Sequence, residues 1–312
     1  PVPPPPPSPA PPPPPPPAVP GKLFTQVLDL PTGTMTIETA NYTVKVQVDA
    51  NFDIVRVFAT AKSAATFALS AMLEPYRRDG WSDLGRECNY PGDCKRRLEH
   101  ADTILSAQDL EAAPSLQQGV VWYHFNHLNT TYTNETMAAQ GMDPAKHADP
   151  FTHRVFGGAM LGSPGLKRSV DGLRLDSVNS KLSRATVEVS LLTQYPVQLP
   201  LREWLPAVAA FVSNHSGATS PSRRQAMTEA HSRTWLTLWN RSFVYVQPAA
   251  QGQEGQQELA AAARNISDHI SWNRYLALIQ GRRAFTPTKW NGGDFKANVS
   301  TPVYCLTLFL SL

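Results

Sequence analysis

The spacing of apolar residues changes once along this chain, and that change limits the folds open to it. Up to about residue 193 apolar positions alternate with polar ones; beyond about residue 198 they recur at three- and four-residue steps. Met35 and Ile37, then Val44, Val46 and Val48, then Ile54, Val55, Val57 and Phe58 follow the side-to-side alternation of a strand. Residues 65–73, 120–125, 156–162 and 185–193 read as further strands, the third of them glycine-rich. Asp49 to Asp53 lies between two apolar runs and reads as a hairpin turn. Alternation with short connections predicts an antiparallel sheet wet on one face. Seven or more strands without intervening helices predict a β-sandwich.

The second period predicts three helices. One covers residues 201–212. The next starts at Ser220-Pro221, a cap followed by proline at the first helical position, and runs to about Trp239. The third covers residues 256–280 and stops at Gly281. Trp235 and Trp239 lie four apart on the second helix, a spacing typical of a core stripe. The predicted class is therefore β-rich plus α: an antiparallel β-sandwich followed by linker helices.

Composition divides the chain once more. The first 20 residues hold 15 of the 29 prolines and no charge. Such a run adopts polyproline II, and 20 residues at about 3.1 Å each reach roughly 60 Å. It resembles the hydroxyproline-rich stalks of plant and algal cell-wall glycoproteins. The expected organisation is a stalk over residues 1–21, a sandwich over 22–198 with an insertion at about 74–116, and a helical part over 199–312. No stretch approaches the roughly 18 apolar residues that span a bilayer. The net charge of +3 comes without a basic run longer than Lys95-Arg96-Arg97, so no nucleic-acid partner is expected.

Two features point to the secretory pathway and an extracellular or cell-wall location. Asn-x-Ser/Thr occurs at Asn41, Asn129, Asn134, Asn214, Asn240, Asn265 and Asn298, where the composition would give about two by chance. Cys88 and Cys94 flank a Pro-Gly turn that can bring their α-carbons within disulfide reach, and in an oxidising compartment a bridge between them is expected. A zinc site is the rival reading, but the spacing is wrong for it and no second cysteine pair exists. Cys305 is left over. No metal and no cofactor is expected; His124 and His127 lack a third ligand in pattern and read as structural.

Three ordered segments carry a resemblance. Tyr123-His-Phe-Asn126 leads through Gln140-Gly141 to Asp149-Pro-Phe-Thr-His-Arg-Val-Phe-Gly-Gly158. His231-Ser-Arg-Thr-Trp-Leu-Thr-Leu-Trp-Asn-Arg-Ser242 follows, and then Arg274-Tyr-Leu-Ala-Leu-Ile-Gln-Gly-Arg-Arg283 with Lys289-Trp-Asn-Gly292. Together they resemble the family carrying the domain of unknown function 5703, which looks like a relative of glycoside hydrolase family 95, the α-L-fucosidases. The resemblance spans about residues 25–296. It implies a sandwich, a helical linker and the start of a six-hairpin (α/α)6 toroid, truncated here. It also implies inverting hydrolysis by an acid and a base flanking the glycosidic bond. Both groups are expected downstream of Lys289-Trp-Asn-Gly292, so no catalytic residue is assigned within this chain.

The resemblance places Lys289, Trp290 and Asn291 at the mouth of a sugar pocket, where a ring can stack on C–H faces and an amide can bond hydroxyls. A turn after a helix, with Asn-Gly supplying positive φ, is the rival reading. Arg283 and Arg154 complete the candidate substrate rim, and Arg154 is expected on a sandwich loop with Phe156-Gly-Gly158. The rival for that stretch is a β-bulge at a close backbone approach. The expected partners are carbohydrate and, through the stalk, a cell-wall polymer. The expected function is the non-catalytic N-terminal part of a secreted glycoside-hydrolase-like protein. The alternative is a cell-wall structural or carbohydrate-binding glycoprotein.

Overall fold

The computed structural model describes residues 24–75, 102–126, 137–143, 145–147, 152–179, 181–218, 220–242, 244–247, 256–280 and 310–311. The proline-rich stalk, Cys88, Cys94, Cys305, Asn129, Asn134, Asn298, His127, Arg283, Lys289, Trp290 and Asn291 lie outside them.

Twelve strands are described: β1 (Thr25–Asp29), β2 (Thr34–Glu38), β3 (Tyr42–Val48), β4 (Ile54–Ala61), β5 (Ser70–Met72), β6 (Thr103–Ile104), β7 (Val120–Asn126), β8 (Arg154–Gly162), β9 (Leu166–Arg168), β10 (Arg174–Ser177), β11 (Arg184–Gln194) and β12 (Leu310–Ser311). Three helices follow β11: α1 (Pro200–His215), α2 (Pro221–Asn240) and α3 (Gln256–Gln280). Eight strands form an antiparallel sheet in the order β1-β2-β3-β4-β11-β8-β7-β6; four form a smaller sheet, β12-β5-β10-β9. The period change thus marks the passage from β11 to the three helices, with the short β12 returning to the small sheet after them.

The large sheet is covered on both faces. On one, Val44, Val57, Ala59, Met160, Ala185 and Val187 meet Phe67, Leu69, Ala71, Leu166 and Leu175 of the small-sheet layer. This is the predicted sandwich, with alternate residues of each strand pointing inward. On the other face, Val121, Val155, Ala159 and Leu161 meet Trp204, Leu205, Val208 and Val212 of α1. The expected wet face is therefore dry across the centre of the sheet, because α1 lies on it. Leu105, Leu110, Ala113 and Leu116, from the far end of the polar stretch read as an insertion, also enter this second core.

Trp204 anchors α1. It is fully buried, its indole N–H donates to the Leu192 carbonyl at 3.0 Å, and its ring lies 5.6 Å from that of Tyr123. The room for it comes from β8: a Cβ on Gly157 would stand 2.7 Å from Trp204 Cζ2. The Phe156-Gly-Gly158 stretch is thus neither loop nor bulge. It runs in unbroken register with β7 and β11, and Gly157 lacks a side chain because the Trp204 ring occupies that space.

A charged cluster is buried between the sheet and the helices. Arg56 on β4 donates from Nη1 to Asp49 and from Nε to Glu188 on β11 at 3.2 Å; Arg56 and Glu188 are fully buried and Asp49 nearly so. Glu188 Oε2 accepts from Ser216 Oγ at 2.6 Å and from the Gly217 amide at 2.8 Å, just past α1. Asp49 Oδ1 accepts from the Asn51 and Phe52 amides at 2.7 and 2.9 Å, which closes the β3–β4 turn as the sequence predicts.

Helix α2 is held at the end of the sheet where two hairpins turn. His231 is fully buried; its Nδ1 accepts from the Ala50 amide at 3.0 Å, and its Nε2 faces the Thr32 carbonyl at 2.7 Å. An acceptor at Nδ1 fixes the neutral tautomer that donates from Nε2. Trp235 packs on Gly33, where φ is +57° and a Cβ would meet the indole at 2.5 Å. Trp239 donates to the Leu30 carbonyl at 2.8 Å. Trp235 is thus a core residue, and the half-buried Trp239 is a docking contact of α2. α3 docks on its C-terminal half: Tyr275 stacks on Trp235 at 5.4 Å, and Arg274 donates to the Leu238 and Ser242 carbonyls, capping the end of α2.

Removing Arg56 alone would leave two buried carboxylates without their cation. Arg56→Met is expected to lower stability by about 3–5 kcal/mol, read as a fall in the urea midpoint. Glu188→Gln, which keeps an acceptor for Ser216 and Gly217, is expected to cost less; an equal or larger loss would count against the cluster as described.

Candidate functional site

Of the predicted rim residues, Arg154 is the one among the described residues. It opens β8, pairs in register with Asn126 at the end of β7, and places its guanidinium 4.9 Å from the centre of the Tyr195 ring. Tyr195 follows β11, is 51% exposed, and precedes a cis bond to Pro196. Three strand ends and the approach to α1 meet here.

His153 turns the chain into β8. It has φ of +61°, an uncommon conformation for a residue with a side chain. The fold holds it there by two backbone bonds: its amide donates to the Asn126 carbonyl at 2.5 Å, and its carbonyl accepts from the Val197 amide at 2.8 Å. His153 Nδ1 and Gln194 Oε1 are both buried without a hydrogen-bond partner among the described residues. Deeper along β7, both ring nitrogens of His124 face oxygens. Nε2 lies 2.8 Å from Asn126 Oδ1, and Nδ1 lies 3.2 Å from Asp102 Oδ1 without hydrogen-bond alignment. His124 is buried, and no group of three potential metal ligands occurs among the described residues.

This strand-end cluster offers a guanidinium, a half-exposed ring, an amide and an imidazole. Such groups bond hydroxyls and stack on sugar faces. The sequence singled out Arg154; it did not single out Tyr195 and Gln194, which the fold brings beside it. Their signal was weak: a tyrosine before a proline at the end of a strand reads as a plain turn.

Two open cavities flank α2 on opposite sides. One, of about 540 Å³, lies between the β3–β4 turn and the helix, with Asn51, Phe52, Arg233, Thr234 and Arg241 in its walls. The other, of about 530 Å³, lies between the face of β2–β4 and the first turns of α2. The four described sequon asparagines, Asn41, Asn214, Asn240 and Asn265, are all exposed, the last three despite their helical positions.

Tyr123 links the cluster to the core. Burial pushes its phenol above the ordinary tyrosine value; a hydrogen bond to Thr103 opposes this, and the Asp109 charge adds to it. The folded state therefore holds the phenolic proton more tightly than the unfolded chain. Stability is intact below about pH 10 and falls as pH rises through the folded value. Tyr123→Phe is expected to flatten the alkaline fall in the denaturation midpoint, and an unchanged slope would show that Tyr123 titrates normally.

No curated protein matches the chain significantly. Among solved structures, one described as "Putative kojibiose phosphorylase from human microbiome" is 10% identical, with a TM-score of 0.43, covering 82% of this chain and 28% of its own. The chain thus spans less than a third of that protein's length. The family model described as a domain of unknown function (DUF5703), for the N-terminal domain of that family, matches residues 14–244, well over half of the chain. The chain belongs to the DUF5703 family and carries its N-terminal domain.

Proposed function

We propose that this chain is the non-catalytic, N-terminal part of a secreted glycoside-hydrolase-like protein that acts on carbohydrate. The observation that carries this reading is the placement of carboxylates. Inverting hydrolysis needs an acid and a base on opposite sides of an open sugar site. Neither cavity beside α2 is lined by two carboxylates. Asp49 and Glu188, which do converge, are committed to Arg56 and sealed from solvent. The sandwich and helices would shape and brace a catalytic domain, and the Arg154–Tyr195 cluster would rim its substrate. Lys289, Trp290, Asn291 and Arg283 would extend that rim.

The second reading, a cell-wall structural or carbohydrate-binding glycoprotein, is favoured by the proline-rich first 20 residues together with seven sequons. Secretion is common to both readings, and the exposure of Asn41, Asn214, Asn240 and Asn265 supports it.

The 312-residue chain is expected to turn over no member of a panel of aryl glycosides. Clear activity that disappears on Asn291→Ala would overturn the non-catalytic assignment. Expressed through a secretory pathway, the chain is expected to lose mass on treatment with a glycan-releasing amidase. Changing the seven sequon asparagines to glutamine should abolish that loss, and a native chain of unmodified mass would remove the support for secretion.

A further inference from the structure

We propose that the groove between the β2–β3–β4 face and the N-terminal half of α2 binds an acidic saccharide. Sheet register builds its floor. Thr36, Lys45 and Phe58 lie side by side across three strands, and Thr34 pairs with Gln47 in the row beyond. Arg224, Gln225 and Thr228 of α2 form the facing wall. The volume, about 530 Å³, falls in the range of small-ligand sites.

The groups on the floor are only partly used by the fold. Lys45 is exposed and pairs with no carboxylate among the described residues. Gln47 is 93% buried and donates from Nε2 to Thr34 at 2.8 Å, yet its Oε1 has no partner among the described residues. The Thr36 hydroxyl makes no hydrogen bond among the described residues. Arg224 bonds Thr186 Oγ1 at 2.5 Å through Nη1 alone. The lining sets two cations, Lys45 and Arg224, against one carboxylate, Asp29, which accepts from Thr32 and keeps its charge. The balance is positive, beside hydroxyls, amides and one half-buried ring.

That combination selects its ligand. An apolar molecule would bury Lys45 and the threonines unpaired, which is costly. A simple phosphate would use the cations and the hydroxyls and leave Phe58 idle. A sugar with a carboxylate uses them all: the ring edge on Phe58, the hydroxyls on Thr36 and Gln225, the carboxylate on Lys45 in a charge-assisted bond. The ligand class rests on the carbohydrate reading above; the location rests on the groove itself.

Calorimetric titration of the full 312-residue chain with an oligogalacturonate and with its methyl ester tests this. The acid is expected to bind at least about tenfold more tightly than the ester, the scale of one charge-assisted hydrogen bond. Lys45→Gln is expected to bring the acid down to the level of the ester, Thr36→Val to weaken both, and Lys45→Arg to retain binding, all with unchanged unfolding midpoints. Equal binding of acid and ester, or no binding of either, overturns the proposal. Binding untouched by Lys45→Gln overturns the location and leaves the carbohydrate reading standing. The glycoside-turnover assay fails or succeeds independently of all three.

Discussion

The buried guanidinium of Arg56 is the interaction on which the arrangement of layers depends. It is an expensive group to take out of water, and it is tolerated because Asp49 of the β3–β4 turn and Glu188 of β11 both meet it. Glu188 in turn holds Ser216 and the Gly217 amide, where the chain leaves α1 for α2. One cation thus ties the β3–β4 turn, the central strand pair and the junction between two helices. A one-residue slip of β4 against β11 would swing Arg56 or Glu188 toward the sandwich core, where Val57, Ala59 and Val187 offer no partner. The cluster therefore fixes register as much as it contributes stability.

The residues that carry the family resemblance turn out to be packing residues. Gly157 makes room for Trp204. His231, Trp235 and Trp239 pin α2 to the sheet. Arg274, from the third segment, caps the helix that the second segment forms. The second and third segments, more than thirty residues apart in sequence, meet at one joint between α2 and α3. They identify a scaffold, and they say less about the chemistry the scaffold supports.

Much of the fold was legible in the sequence. The helix limits followed from Ser220-Pro221 and from the three- and four-residue apolar steps of α3, since capping and amphipathicity are local. The β3–β4 turn was legible because Asp49 closes it with its own side chain. Strands β1, β6, β9 and β10 were not predicted; they are short, and β1 is an edge strand whose residues are mostly exposed, so alternation leaves little trace. The dry second face of the sheet was hidden because it depends on α1 folding back over residues more than forty positions away. Of the candidate site, Arg154 was legible as a charged residue in a motif. Tyr195, Gln194 and the groove around Lys45 were not, because strand pairing assembles them.

The two contacts of His231 reach turns some twenty residues apart in the chain. With only one turn in place, the imidazole would satisfy one nitrogen and bury the other unpaired, at a cost of about 1–3 kcal/mol. The ring therefore couples the two hairpins through the helix: docking of α2 is favoured most on a sheet whose two turns have both closed.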